Sequence, residues 1–137
     1  MSTAEVSTVL GHHPSILEAN VYGVSVPNHE GRAGCAAIVL NQPSTQLDYK
    51  GLLTYARKQL PKYAVPVFLR VVEGELVRTD NMKQSKVALR DEGVDLEKIA
   101  KGKSNGDKIM WVRPGADTYE PFGKEDWEAL KAEKARL

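Results

Sequence analysis

Two spacings of apolar residues alternate along this chain, one helical and one extended. Val6, Val9 and Leu10 share a helical face behind Ser2-Thr-Ala-Glu5, a capping-box pattern, and Gly11 supplies a stop, so a short first helix is expected. From Leu17 to Val26 the pattern is that of a strand alternating around Val24 and Val26. Pro27-Asn-His-Glu-Gly31 makes a turn, and Gly34 to Leu40 is a continuous apolar run that pairs back on the first strand. A run apolar on both faces must be covered on both faces, so this second strand is expected at the centre of the sheet. Thr45-Gln-Leu-Asp48 reads as another capping box. Behind it Tyr49, Leu52, Leu53, Ala56 and Leu60 form the stripe of a second helix that ends at Pro61, with Arg57 and Lys58 on the opposite face. Pro61 to Pro66 is a constrained linker into Val67–Val72, a third strand of Val, Phe and Leu.

Beyond that strand Glu73-Gly-Glu75 turns, and Leu76–Thr79 is expected as a short strand, a hairpin arm that holds the loop carrying Lys83 against the sheet. Ser85 caps a helix running through Leu89, and Asp91–Asp95 reads as a helix end and turn. Lys101–Asp107 is read as an exposed connection, Ile109–Val112 as a further strand candidate, and Tyr119 with Phe122 as cover for a sheet edge. Lys124–Leu137 is read as a charged helix anchored by Trp127 and Leu130. The expected class is α+β: a small mixed sheet of about three main strands packed with helices, plus the short hairpin, in a single domain over 1–137 whose stretch 114–137 is a C-terminal extension with a terminal helix.

Composition narrows the partners. With 137 residues and 42% hydrophobic content there is enough apolar surface for one core. Nineteen basic against eighteen acidic residues leave a net charge of +1, which gives no basic footprint for nucleic acid and no acidic tail. The single cysteine, Cys35, lies in an apolar run, where a buried and inert thiol in a reducing compartment is expected. His12 and His13 have no second ligand pair at metal spacing, so no metal site is assigned. No apolar run approaches the roughly 18 residues that cross a bilayer, and the expectation is a chain that is soluble or at most peripheral to a membrane.

The densest cluster of candidate chemistry is Thr79-Asp-Asn-Met-Lys83-Gln-Ser-Lys86, just after the third strand. Asp80 and Asn81 are turn formers and Ser85 a cap, which places Lys83 at a loop-to-helix junction. An ammonium on a flexible four-carbon stem there can be brought to a phosphate or carboxylate and withdrawn. Spacing alone favours an ordinary solvated face of Lys83 and Lys86 over a functional site. Arg32, in the first turn, is a minor candidate for an anion contact.

Several ordered pieces resemble the carboxy-terminal lid domain of the adenylate-forming enzymes, in the branch of fatty acid transport proteins and very-long-chain acyl-CoA synthetases. They are Glu18-Ala-Asn-Val-Tyr-Gly-Val24, Glu30-Gly-Arg-Ala-Gly-Cys-Ala-Ala37, Leu60-Pro-Lys-Tyr-Ala-Val-Pro-Val-Phe-Leu-Arg70, Thr79 with Lys83, and Tyr119-Glu-Pro-Phe122. The resemblance implies that Lys83 is the catalytic lysine, which reaches the fatty-acid carboxylate and the ATP α-phosphate as the acyl-adenylate forms. The same motif includes Thr79, which with Lys86 and Arg32 makes up the remaining candidates for substrate or nucleotide contacts. Met82 stands where the superfamily has Gly, a mark of the branch, while Asp80 and Asn81 depart from the branch's usual small residues.

The same resemblance implies ATP and CoA as substrates of a full enzyme and Mg in a large N-terminal adenylation domain that this sequence lacks. It carries no Ser/Thr/Gly-rich phosphate loop. The expectations are therefore a fragment inactive alone, with no cofactor bound to it, whose partners are the missing adenylation domain, fatty acid and CoA. A free-standing, non-catalytic protein- or nucleotide-binding module of the same fold is the standing alternative. Ala135-Arg136-Leu137 is similar to a peroxisomal import signal, giving peroxisomal localisation as the expectation and association with the endoplasmic reticulum or plasma membrane as the alternative.

Overall fold

In the computed structural model, residues 2–26, 32–72, 92–101, 107–113 and 115–132 are described. Ser2 opens α1 (Thr3–Gly11) as the capping box requires: its Oγ accepts from the Glu5 amide at 3.2 Å, and its own amide donates to Glu5 Oε1 at 3.3 Å. The helix presses Val6 and Leu10 onto β1 (Ile16–Ser25), which pairs antiparallel with β2 (Arg32–Leu40). Residues 27–31, where the sequence predicts a turn, lie outside the described residues.

A 3-10 turn at Ser44–Gln46 leads into α2 (Tyr49–Gln59). The N-cap is Asp48, whose Oδ1 accepts from the Gly51 amide at 2.9 Å, and not Thr45 as the sequence pattern predicts. The reason is local: Pro43 starts a separate 3-10 turn, which uses Thr45 before the helix begins. α2 carries the chain over to β3 (Phe68–Val71), which lies parallel to β2, as a helical crossover permits.

Glu92 marks the return of the chain after 73–91, and Gly93 follows with φ of 53°, a left-handed turn that glycine adopts without strain. Asp95 then opens α3 (Leu96–Lys101), its Oδ1 accepting from Glu97 and Lys98 amides. β4 (Lys108–Trp111) pairs antiparallel with β3. β5 (Glu120–Pro121) closes that edge, and α4 (Lys124–Lys131) follows.

The strand order is β1-β2-β3-β4-β5. Among the described residues the sheet is thus a mixed one of five strands, wider than the three main positions read from the sequence. β2 is an interior strand, but β3 is the central one, because β4 and β5 add to its far edge. The expected hairpin arm Leu76–Thr79 and the loop it would carry lie outside the described residues.

Alternation sorts side chains to two cores. Val21, Ala36, Ile38, Leu69, Val71 and Met110 face α1 and α2, where Leu52, Leu53 and Ala56 form the buried stripe that the sequence predicts. Tyr22, Cys35, Ala37, Phe68, Ile109 and Trp111 face Ile99 from α3, Phe122 just after β5, and Trp127 and Leu130 from α4. Each fully buried leucine or phenylalanine contributes about 1.5–3 kcal/mol. Phe68, Trp111 and Phe122 meet with ring centroids 5.0–6.0 Å apart. Tyr119, buried, donates from its hydroxyl to the Pro66 carbonyl at 2.6 Å, tying the turn before β5 to the linker before β3.

Candidate functional site

Thr79, Lys83 and Lys86 lie outside the described residues, but the two ends of the segment that carries them are defined. The chain leaves β3 at Val72, whose amide donates to the Ile38 carbonyl at 3.0 Å, and it is described again from Glu92. Between those points the fold places an ionic cluster inside the protein. Arg70, on β3, is completely buried among apolar neighbours, flanked by Ala37 on β2 and Ile109 on β4. The small Ala37 leaves room for its side chain. Its Nε donates to Asp107 Oδ2 at 2.8 Å, and its Nη1 lies 2.9 Å from Glu92 Oε1 as an ion pair. Asp107 is 4% exposed and Glu92 20%.

Two carboxylates around one guanidinium answer the cost of burying its charge. Burial works against the charged form of Arg70, and the Asp107 and Glu92 carboxylates outweigh it, so its pKa lies above the ordinary value. Among the described residues neither Nη1 nor Nη2 makes a hydrogen bond of good geometry, so the contact to Glu92 is an ion pair only.

The sequence pattern puts Asp107 at the end of an exposed connection. Its burial is a correction, and the reason is Arg70, which draws it under the sheet. An arginine in a strand of Val, Phe and Leu gives only that contrast as a signal, and its partners are far away in sequence. The residues 102–106 of that connection lie outside the described residues.

On the same face Cys35 is completely buried, its thiol donating to the Tyr22 hydroxyl at 3.5 Å. Burial pushes the thiol pKa up from its ordinary 9.0 to about 12, and pushes the Tyr22 phenol up as well. A thiol held protonated and sealed from solvent is no nucleophile, which agrees with the inert role read from the sequence.

Arg32 opens β2 opposite Ser25, and its side chain lies outside what is described. Its backbone is six residues along β2 from Ile38, the partner of Val71, which is roughly 20 Å at the rise of a strand. The fold therefore puts Arg32 and the departure of the lysine-bearing segment at opposite ends of the β2/β3 pair. His13 stacks edge-on against Tyr55 at 5.0 Å and accepts from the Ser15 amide, a structural setting.

A surface groove of about 750 Å³ lies elsewhere, between α2 and the stretch after β4. Leu53, Pro66 and Val112 line it together with Arg57 and Arg113. Arg57 donates to the Ala116 carbonyl, and Arg113 pairs with Glu120 and Asp126, so both guanidinium groups brace the wall of the groove.

Residues 5–83 match the family described as the AMP-binding enzyme C-terminal domain, a match whose last residue is Lys83. The chain is 50% identical over 98% of its length to isopenicillin N epimerase component 1 of Hapsidospora chrysogena, of which it covers 23%. It is 41% identical over its whole length to the very long-chain fatty acid transport protein of Cochliobolus heterostrophus, of which it covers 21%. Among solved structures, a benzoate CoA ligase from Burkholderia xenovorans LB400 superposes with a TM-score of 0.52 at 31% identity, covering 66% of this chain and 18% of that one. The chain thus spans about a fifth of the length of the relatives it matches.

Proposed function

The chain belongs to the AMP-binding enzyme C-terminal domain family, and from that premise we propose that it serves as the C-terminal domain of a long- or very-long-chain fatty acid–CoA ligase, contributing Lys83 to acyl-adenylate formation. The observation that carries the reading is the end-to-end similarity to a very long-chain fatty acid transport protein, over a chain that is only a fifth of such a protein. The remainder of the longer protein supplies the phosphate-binding loop, Mg and most contacts to ATP and fatty acid.

In the reaction a carboxylate oxygen attacks the α-phosphorus of ATP, pyrophosphate leaves, and the thiol of CoA then displaces AMP from the acyl-adenylate. The first step brings two anions together. The Lys83 ammonium lowers that barrier by neutralising charge on the carboxylate and α-phosphate as the bond forms. Thr79 and Lys86, close to it in sequence, are assigned to the same nucleotide contact. Arg32 is kept as a minor candidate for an anion contact. A second face of the domain serves CoA in the thioester step.

The isolated chain is expected not to turn over, since it carries no phosphate-cradling sequence. A second substrate reading has its own support in the 50% identity to isopenicillin N epimerase component 1, and it puts isopenicillin N in place of the fatty acid. Both are tested by giving the full-length protein ATP, CoA and a panel of fatty acids of increasing length, with isopenicillin N as a competitor, and following AMP and thioester together. Fatty acyl-CoA as the preferred product supports the proposal. Thioester from isopenicillin N alone selects the second reading, and no ATP-dependent thioester from any acid refutes both.

A further inference from the structure

We propose that the corner joining α1 to β1 is an acid-sensitive latch, closed by an acceptor on His13 that a proton removes. The chain leaves α1 at Gly11 and enters β1 at Ile16, and the turn between them is held by the His13 ring, whose Nδ1 accepts from the Ser15 amide at 3.1 Å. Accepting from the backbone two residues on is what Asn or Asp does in an Asx turn. Here a histidine takes that place, and histidine changes charge near neutrality.

The turn fastens more than itself. The Ser15 carbonyl accepts from the Asn41 amide at 3.1 Å, and the Pro14 carbonyl accepts from Asn41 Nδ2 at 2.7 Å, so the residue that follows β2 is held by two bonds. The strand ladder gives this end little help, because its register shifts between Ile16 and Glu18 and leaves Ile16 opposite Leu40 as the one pair beyond the irregularity. The ring is seated edge-on against Tyr55 of α2, with centroids 5.0 Å apart, and the Tyr55 hydroxyl is committed to the Val9 carbonyl at 2.8 Å.

An Nδ1 that accepts carries no proton, so the neutral ring holds its proton on Nε2. Protonation puts an N–H where the lone pair was, and it then faces the Ser15 N–H, donor against donor. The Asn41 contacts lose their anchor with it. Of the groups at this corner, His12 precedes the ring and is exposed, Ile16 and Asn41 carry no charge, and Asp48, from the cap of α2, supplies the one charge acting on His13 among the described residues. Burial lowers the His13 pKa from its ordinary 6.5 and outweighs Asp48, which raises it. The folded corner therefore resists a proton that the unfolded chain takes up. Its contribution is complete above the unfolded value of about 6.5 and declines as pH falls through the lower folded pKa.

Amide hydrogen exchange on the whole chain tests this, read as protection factors so that the intrinsic pH dependence of exchange cancels. Between about pH 7.5 and about pH 5 the protection of Ser15 and Asn41 is expected to fall on the order of tenfold, through loss of one half-buried acceptor. Leu60 and Val112, whose amides bond the Ala56 and Val67 carbonyls, are expected to stay within about twofold. His13→Asn keeps an acceptor at the same branch of the side chain but does not titrate, so it is expected to hold its protection across that range. A pH-independent protection of Ser15 and Asn41 in the parent, the same fall in His13→Asn, or an equal fall at Leu60 and Val112 overturns the proposal. Where His13→Asn does not fold, the ring nitrogen shifts of the parent decide. A neutral ring protonated on Nε2, titrating with a midpoint below 6.5 that the loss of protection follows, supports the latch; a neutral ring protonated on Nδ1 overturns it.

Discussion

Replacing Tyr119 by phenylalanine removes one oxygen atom and tests how the last part of the chain is fastened to the sheet. The hydroxyl donates to the Pro66 carbonyl at 2.6 Å, and Tyr119 is 3% exposed, so water cannot take its place without an opening of the structure. The ring remains to fill its site against the first core, and the loss is therefore chiefly that of the hydrogen bond and of a satisfied carbonyl. That costs about 1–3 kcal/mol. Urea unfolding followed by the fluorescence of Trp111 and Trp127 measures it, with Tyr55→Phe as the comparison, because the half-buried Tyr55 hydroxyl bonds the Val9 carbonyl at 2.8 Å. The expectation for that control is about 0.5–1.5 kcal/mol.

The pH dependence gives a second reading of the same bond. Burial raises the Tyr119 pKa, so the folded chain keeps a proton that the unfolded chain gives up above about pH 10. The contribution is complete below that value and declines as pH rises through the folded pKa, and Tyr119→Phe should show a shallower alkaline decline than the parent. A variant as stable as wild type, with an unchanged alkaline slope, would refute the claim that this hydroxyl fastens the turn before β5 to Pro66.

The cap of α2 offers a cycle: a Cβ at Gly51 would crowd Asp48, lying 2.8 Å from its Cγ, so Gly51→Ala should gain little in wild type yet stabilise by about 0.5–1 kcal/mol in an Asp48→Ala background, measured by thermal unfolding. Equal effects in both backgrounds would contradict the cap. Cys35, sealed and with its pKa pushed to about 12, should resist alkylation at pH 8 until the chain unfolds, and its raised pKa should drain stability between about pH 9 and 12 as the unfolded thiol ionises. Calorimetric titration of the isolated chain with ATP should show no tight site, and micromolar or better affinity would favour a free-standing nucleotide-binding module.

Elements whose signal is local were legible in the sequence. The Ser2/Glu5 box, the stripe from Leu52 to Leu60 and the alternation through Val24 depend on neighbours within a turn or along one strand, and the fold realises each. α3 escaped because six residues give no full period, although Asp95 with two following amides was a usable cap signal. β5 escaped because two residues, one of them Pro121, do not look like a strand until β4 offers them an edge. The central place of β3 depends on β4, which is distant in sequence, and so no two-faced apolar run could reveal it. The candidate site was legible only through its lysine motif. Nothing near Arg70 in the sequence marks it as buried, since Asp107, 37 positions on, determines its burial.

The central claim is that Lys83 serves the adenylation step of a larger ligase, and its most direct test is Lys83→Ala in the full-length protein with the two half-reactions timed separately. Loss of one preorganised positive charge at the reacting phosphate should cost about 3 kcal/mol, roughly a 100-fold slower pyrophosphate exchange. Thioester formation from preformed acyl-adenylate should proceed at the wild-type rate. An exchange rate equal to wild type, or equal losses in both half-reactions, would contradict the account.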